Sequence, residues 1–234
     1  LTGGTGADTL TGALNFKNTI VGTGGANTIT GGNGVDIITG GTAIDTINGG
    51  AGADIIDGGT GADIITGGSG SDTYVIASSA NAGVSEVYVD FAAGTGGDVF
   101  QLAQATIVAG SPTTSDGATI KTVDTTDVGI TDTTDSTDVL VFSGAGYADK
   151  DALLAAANGA SGILEAAPTN MDGNTVIAVF TDNDGADAGT YLVYMTGDAD
   201  FATNGFASVS IIAEIGSLAL ADLANLDPAN FTIA

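Results

Sequence analysis

The chain has 234 residues, of which 28 are Asp or Glu and only 3 are Lys or Arg, giving a net charge of −25. With no Cys and no His it has no disulfide framework, no thiolate or imidazole metal site, no Ser-His-Asp triad and no HExxH zinc motif. Three basic residues cannot make a phosphate-binding patch, which excludes nucleic acid as a partner and leaves a hard divalent cation as the natural counterpart of so many carboxylates.

Apolar residues make up 43% of the chain, enough for a core despite the charge. No apolar run reaches the ~18 residues of a membrane-crossing helix, so membrane insertion is not expected. Leu1-Thr2 reads as the tail of a preceding repeat, which leads us to expect a fragment or processed product.

From Gly3 the chain is periodic. It reads GGTGADTLT, GALNFKNTIV, GTGGANTIT, GGNGVDIIT, GGTAIDTIN, GGAGADIID, GGTGADIIT and GGSGSDTYV, nine residues per unit except for ten in the second. Position six holds Asp8, Asn27, Asp36, Asp45, Asp54, Asp63 and Asp72, with Asn18 in the longer unit. Position eight holds Leu10, Ile20, Ile29, Ile38, Ile47, Ile56, Ile65 and Tyr74. The Gly-Gly-x-Gly stretch allows positive φ and close backbone approach, so six residues form a tight turn. The last three alternate out, in, out as a short strand, with position eight inside. Successive strands then fall on opposite sides of a flattened coil, two units per turn, with Ile and Leu interlocking between two parallel sheets.

Strands this short need something to hold the turns. Stacking brings the aspartates of units n and n+2 together, and like charges so placed repel unless a cation lies between them. Backbone carbonyls complete an all-oxygen shell, which suits Ca²⁺; Mg²⁺ demands a tighter octahedron and keeps its waters. By parity Asp36, Asp54 and Asp72 line one edge and Asp45 and Asp63 the other, giving candidate sites 36/54, 54/72 and 45/63. The carbonyl donors come from Gly32, Gly34, Gly50, Gly52, Gly59, Gly61, Gly68 and Gly70. Asp8 and Asn27 complete the candidate set, and pairs containing Asn18 or Asn27 should bind more weakly because they carry less charge. Ala43 stands where a glycine is expected, which bears on the geometry of the 45/63 site.

The stretch from Gly3 to Val75 closely resembles the nonapeptides of the repeats-in-toxin (RTX) family, GGxGxDxUx with U a large apolar residue. That resemblance implies a parallel β-roll, folding driven by calcium, and export through a type I secretion apparatus. The expected fold class is therefore all-β dominated: a parallel β-roll, then a mainly β C-terminal region with one short helix. The expected division is 1–76 for the roll, 77–104 for a cap and 105–234 for a C-terminal domain. Position seven is Ile37, Ile55 and Ile64 in three units, where others have Thr. Residues 37 and 55 should stack on one outer face, either as scattered surface residues or as a surface covered by another chain or domain.

After Ile76 the glycine period ends. SEVYVDFAAGTGGDVFQL, with alternating Val87 and Val89, resembles the segment that follows many RTX arrays, and a cap is needed to cover the last coil. Asp90 and Asp98 are further metal candidates there, with surface carboxylates as the alternative. Thr113 to Asp138 is rich in Thr and Asp, and VLVF (139–142) reads as a buried strand. The helix is expected over 148–157, ended by Asn158-Gly159. Thr175 to Phe180 and Thr190 to Met195 read as a hairpin around an acidic loop. An EF-hand is rejected there, because position twelve from Asp182 is Val193 and strands flank the loop. Asp182, Asp184 and Asp187 remain weaker metal candidates. The terminal segment, ending Phe-Thr-Ile-Ala, resembles type I export signals and should fold as a closing strand or short helix.

The sequence thus points to a secreted, extracellular or cell-surface protein that binds calcium, is not an enzyme, and forms a homo-oligomer or polymer in a surface layer or fibre. The alternative is the C-terminal folding and export module of a larger secreted enzyme, toxin or adhesin. Paired carboxylates acting as catalysts are disfavoured because the acids have metal or solvent roles and no Arg or His is available to orient an anionic substrate.

Overall fold

A computed structural model describes residues 1–76, 86–102, 120–123, 139–147, 150–157, 175–182, 189–197, 206–216, 218–226 and 228–233. Each nonapeptide is a turn followed by a short strand. Strands β1 (Thr9–Thr11), β3 (Thr28–Gly32), β5 (Thr46–Ala51) and β7 (Ile64–Ser69) pair in parallel on one side. Strands β2 (Thr19–Thr23), β4 (Ile37–Thr42), β6 (Ile55–Thr60) and β8 (Thr73–Ile76) form the other. Register sets each residue against its counterpart two units on, as in Ile29↔Ile47 and Ile47↔Ile65, or Ile20↔Ile38 and Ile38↔Ile56. One coil therefore takes two repeats, as the period required, and this parallel β-roll places Leu10, Ile20, Ile29, Ile38, Ile47, Ile56, Ile65 and Tyr74 in the core.

One buried aliphatic per nonapeptide is little apolar burial for nine ordered residues, so main-chain pairing and the turns are the sensitive part of the roll.

The cap continues the coil. Strand β9 (Glu86–Tyr88) adds to β7 with Ile65↔Tyr88, and β10 (Val99–Leu102) adds to β8 with Tyr74↔Phe100. In this register Tyr88 points into the core, whereas Val89 is exposed and Val87 half-buried. Tyr88 takes the place of position eight, so the core-facing residues here are Glu86 and Tyr88 rather than the Val87/Val89 pair. Aliphatic side chains give way to rings: Tyr74 and Tyr88 lie 4.8 Å apart, Tyr88 and Phe100 5.1 Å, and Phe91 stacks on Phe100 at 4.4 Å. These rings fill the end of the roll and seal its aliphatic column.

Beyond the cap lie β11 (Ile120–Val123), β12 (Val139–Tyr147), the helix α1 (Lys150–Ala157), β13 (Thr175–Asp182), β14 (Gly189–Gly197) and β15 (Phe206–Ile215). Short 3-10 turns at Leu220–Asn225 and Pro228–Asn230 lead into β16 (Phe231–Ile233). The expected hairpin is β13 with β14, antiparallel with Val179↔Leu192. Strand β15 pairs in parallel with β9 through Ala213↔Glu86 and Ile215↔Tyr88, so one sheet runs from the repeats into the C-terminal region. Its order is β1-β3-β5-β7-β9-β15-β14-β13-β12-β11; the second sheet runs β16-β10-β8-β6-β4-β2. The terminal strand is thus an edge of the roll itself, with Phe231 buried opposite Phe100. The division points expected after residues 76 and 104 fall at segments 77–85 and 103–119, outside the described residues, as is most of 113–138. Among the described residues no helix is long and apolar enough to cross a membrane.

Candidate calcium sites

Position six is where each turn enters its strand. There the main chain and the carboxylate interlock across coils. The amide of Asp36 donates to Asp54 Oδ1 at 2.7 Å, that of Asp54 to Asp72 Oδ1 at 2.9 Å, and that of Asp45 to Asp63 Oδ1 at 2.8 Å. These are the 36/54, 54/72 and 45/63 pairs, each joining residues 18 apart. One carboxylate oxygen is thereby spent on the backbone.

The other oxygen has no partner. Oδ2 of Asp36, Asp45, Asp54, Asp63 and Asp72 is buried without a hydrogen bond. Five buried acceptors left bare is a large penalty for a fold to carry, since each forfeits its hydration. They do not point into apolar packing. A Cβ placed on Gly49 would lie 2.5 Å from Asp54 Oδ2 and 2.6 Å from Gly67 O, and a Cβ on Gly31 2.5 Å from Asp36 Oδ2. Position one must therefore be glycine because a carboxylate oxygen and a carbonyl of the next coil converge beside its Cα. Further round the turn, the carbonyls of Gly32 and Gly34 face the Cα atoms of Gly50 and Gly52, and those of Gly50 and Gly52 face Gly68 and Gly70. Among the described residues no three acidic side chains converge. The donor set is a pair of carboxylates plus main-chain carbonyls, all hard oxygens, and it fits Ca²⁺.

The electrostatics agree. Burial pushes the Asp63 and Asp72 carboxyls up to about 6; the amides of Asp45 and Asp54 pull the other way, and neighbouring carboxylates, Asp45 and Asp57 for Asp63 and Asp98, Asp54 and Asp90 for Asp72, raise them further. Burial also raises Asp45 and Asp54. A bound cation would reverse that cost.

The remaining sequence candidates fall in different places. Ala43 keeps the turn by adopting φ +77°, and its carbonyl faces Gly61 as a glycine's would. Asp8 is half-buried and its Oδ2 accepts from the Gly4 amide at 2.6 Å. Asn27 is buried, but it presents an amide: Nδ2 donates to Gly25 O at 2.9 Å and Oδ1 accepts from Asp8 N at 3.0 Å. Asp98 is buried and continues the ladder, its Oδ1 accepting from Asp72 N and its Oδ2 from Ala92 N, both at 2.8 Å. Asp90 binds the amides of Gly67 and Gly68 at 2.9 and 2.8 Å. Both oxygens of each are thus used by the backbone. Asp182 ends β13 and is half-buried, whereas Asp184 and Asp187 lie outside the described residues.

Two features escaped the sequence. Glu86 is the position-six residue of the ninth unit, since Val87 pairs with Ile64 and its amide donates to Asp63 O. It is buried and accepts the Tyr88 hydroxyl. The spacing Glu86-x-Tyr88 carried this signal once the absent glycines were ignored. The position-one carbonyls, such as Gly67 O, were the second omission, because they reach a cage built by the unit two before them.

The family model for the RTX calcium-binding nonapeptide repeat, which holds four copies, matches residues 1–14, 13–47 and 39–74. These residues, fewer than half of the chain, are similar to an RTX repeat array. RTX nonapeptides bind calcium, and the oxygen cages described above are where this array offers it carboxylates and carbonyls. No curated protein matches the chain.

Proposed function

We propose that this is a secreted structural protein whose RTX array folds on meeting extracellular calcium, after which copies assemble in a surface layer or fibre. The observation that carries the calcium step is the set of five buried, unpartnered Oδ2 atoms in glycine cradles. In a calcium-poor cytosol these charges oppose folding and keep the array in a state fit for export through a type I apparatus. At the roughly millimolar calcium outside cells, sites with dissociation constants of about 10⁻⁴ to 10⁻³ M fill. A ligand that binds only the folded form stabilises it by mass action.

Assembly finds support on the outer faces. Ile37 and Ile55 stack on one sheet, Ile64 lies on the other, and Ile55 and Ile64 are 40% and 44% exposed. Val35 and Ile44 are also exposed beside the turns. The commitment of the buried acids to the turns supports a structural rather than a catalytic role.

Circular dichroism of chelated protein titrated with calcium tests the folding step, and a large gain in β signal is expected. An unchanged spectrum overturns it. Electron microscopy and sedimentation in calcium test assembly, for which strictly monomeric particles at every concentration count against the reading.

A further inference from the structure

Asn18 shows what an uncharged turn does in place of a metal. Its Nδ2 lies 3.1 Å from Ala13 O, 2.8 Å from Phe16 O, 3.3 Å from Gly31 O and 2.9 Å from Asp36 Oδ1. Its Oδ1 accepts from Ala13 N at 2.8 Å. Asn27 repeats the pattern on the other edge, with Nδ2 facing Gly25 O at 2.9 Å and Gly40 O at 3.5 Å.

The acceptors have a common identity. They are the carbonyl two residues before the Asx side chain and the position-one carbonyl two units on, joined at Asn18 by the position-two carbonyl and the next Asp. Shifted to the fourth unit, the same list is Gly34 O, Gly49 O, Gly32 O and Asp54 Oδ1. Position one shows the match directly. A Cβ on Gly12 would lie 2.7 Å from Asn18 Nδ2 and closer still to Gly31 O, and a Cβ on Gly31 would lie 2.5 Å from the unpartnered Asp36 Oδ2 and closer still to Gly49 O. An amide NH₂ and a carboxylate oxygen thus occupy equivalent places beside equivalent position-one carbonyls. The amide brings donors to those acceptors and no charge; the carboxylate brings another acceptor and a charge.

Resting on the calcium reading above, we propose that Asn18 and Asn27 close their turns without metal, their side-chain NH₂ groups standing where Asp36, Asp45, Asp54, Asp63 and Asp72 need a cation. These turns are then not weak calcium sites but cation-free ones. The first coils form a permanently closed end on which the metal-requiring coils are built, and the Asx identity at position six decides which turns depend on calcium.

Calorimetry and equilibrium dialysis with calcium on the full chain give the test. Asn18→Asp is expected to raise the bound-calcium stoichiometry by one, and hydrogen exchange at Ile20 should become more sensitive to EGTA. Asp54→Asn should bind less calcium yet hold its β signal in EGTA better than Asp54→Ala, since only the Asn variant supplies the amide. Unchanged stoichiometry in Asn18→Asp, with a loss in Asp54→Ala, overturns the inference and leaves the calcium reading standing. No calcium bound by the wild-type chain overturns both. If Asn18→Asp does not fold in saturating calcium, Asn27→Asp is read by the same criteria, and failure of both to fold there also overturns the inference.

Discussion

The two ends of the ten-stranded sheet are built on different principles. In the repeats each strand contributes one principal inward side chain, as Ile47 does in β5, and the cross-section is closed by turns containing buried carboxylates. In the C-terminal part the strands run 8 to 10 residues over β13, β14 and β15, and several consecutive residues such as Tyr191, Leu192 and Val193 are buried. There the hydrophobic effect acts on a wide, two-sided layer. In the roll it acts on a narrow column whose turns are penalised until a cation arrives. On the proposed calcium-driven folding, one continuous hydrogen-bonded sheet would contain a switchable half and a half that needs no switch.

Chelation should break the comparison open most widely. With excess EGTA, amide hydrogen exchange at Ile47, Ile56 and Ile65 is expected to lose most of its protection, while Leu192 and Val193 in β14 keep theirs. Equal loss in both regions would show that the sheet responds as one unit.

Substitutions in the two halves sharpen it. Gly52 has φ +131°, and a Cβ there would lie 2.5 Å from Gly34 O. Gly52→Ala should destabilise the calcium-loaded roll by at least about 2 kcal/mol, through left-handed strain and displaced main chain, and lower calcium affinity. Leu192→Ala should cost a comparable ~2–5 kcal/mol by opening a cavity, with calcium affinity unchanged. Denaturant unfolding paired with calcium titration separates the two.

Acidity gives a smaller effect of defined sign. In the metal-free fold the carboxyls of Asp63 and Asp72 stand at about 6, against an ordinary 3.8 when unfolded. The folded form therefore binds more protons between these values, and its stability falls as pH rises through about 6. In protein stripped of calcium and held in metal-free buffer, lowering the pH from 7 to 5 should raise the folded fraction of the roll, read by circular dichroism, whereas in limiting calcium the same change should weaken binding. A β signal that drops on acidification of the stripped protein would reverse the electrostatic account. The smallest expected change is at Ala43: Ala43→Gly relieves a left-handed φ and should stabilise the roll by under about 1 kcal/mol, because glycine loses more chain entropy on folding.

Much of the roll was legible in its residues. A nine-residue step, one inward aliphatic per step and an Asx at a fixed place leave a single way to coil, so the pairing of Asp36 with Asp54 and of Asp45 with Asp63 followed from parity. The same count pointed to the position-two and position-four glycine carbonyls but not to those at position one, such as Gly67 O. Glu86 was not legible, because its unit has lost the glycines and keeps only the Glu-x-Tyr spacing. The roles of Asp90 and Asp98 were also hidden: both spend their oxygens on amides that the folded cap brings to them.

Local repetition is what a sequence states directly, since each nonapeptide dictates its own turn and strand and stacks on a copy of itself. It fixed the coil, the inward column, the two acidic edges and the choice of a hard cation. Contacts between unlike segments carry no such internal copy. That β15 continues the sheet beside β9, that β16 returns to the roll to set Phe231 against Phe100, and that the Asn18 amide faces four oxygens where Asp36 leaves one bare, were decided by the tertiary structure. The reason is geometric: the two strand pairings join unlike segments that no period relates, and the Asn18 contacts depend on which side-chain atoms reach hydrogen-bond distance within a turn, which a repeat position alone does not state.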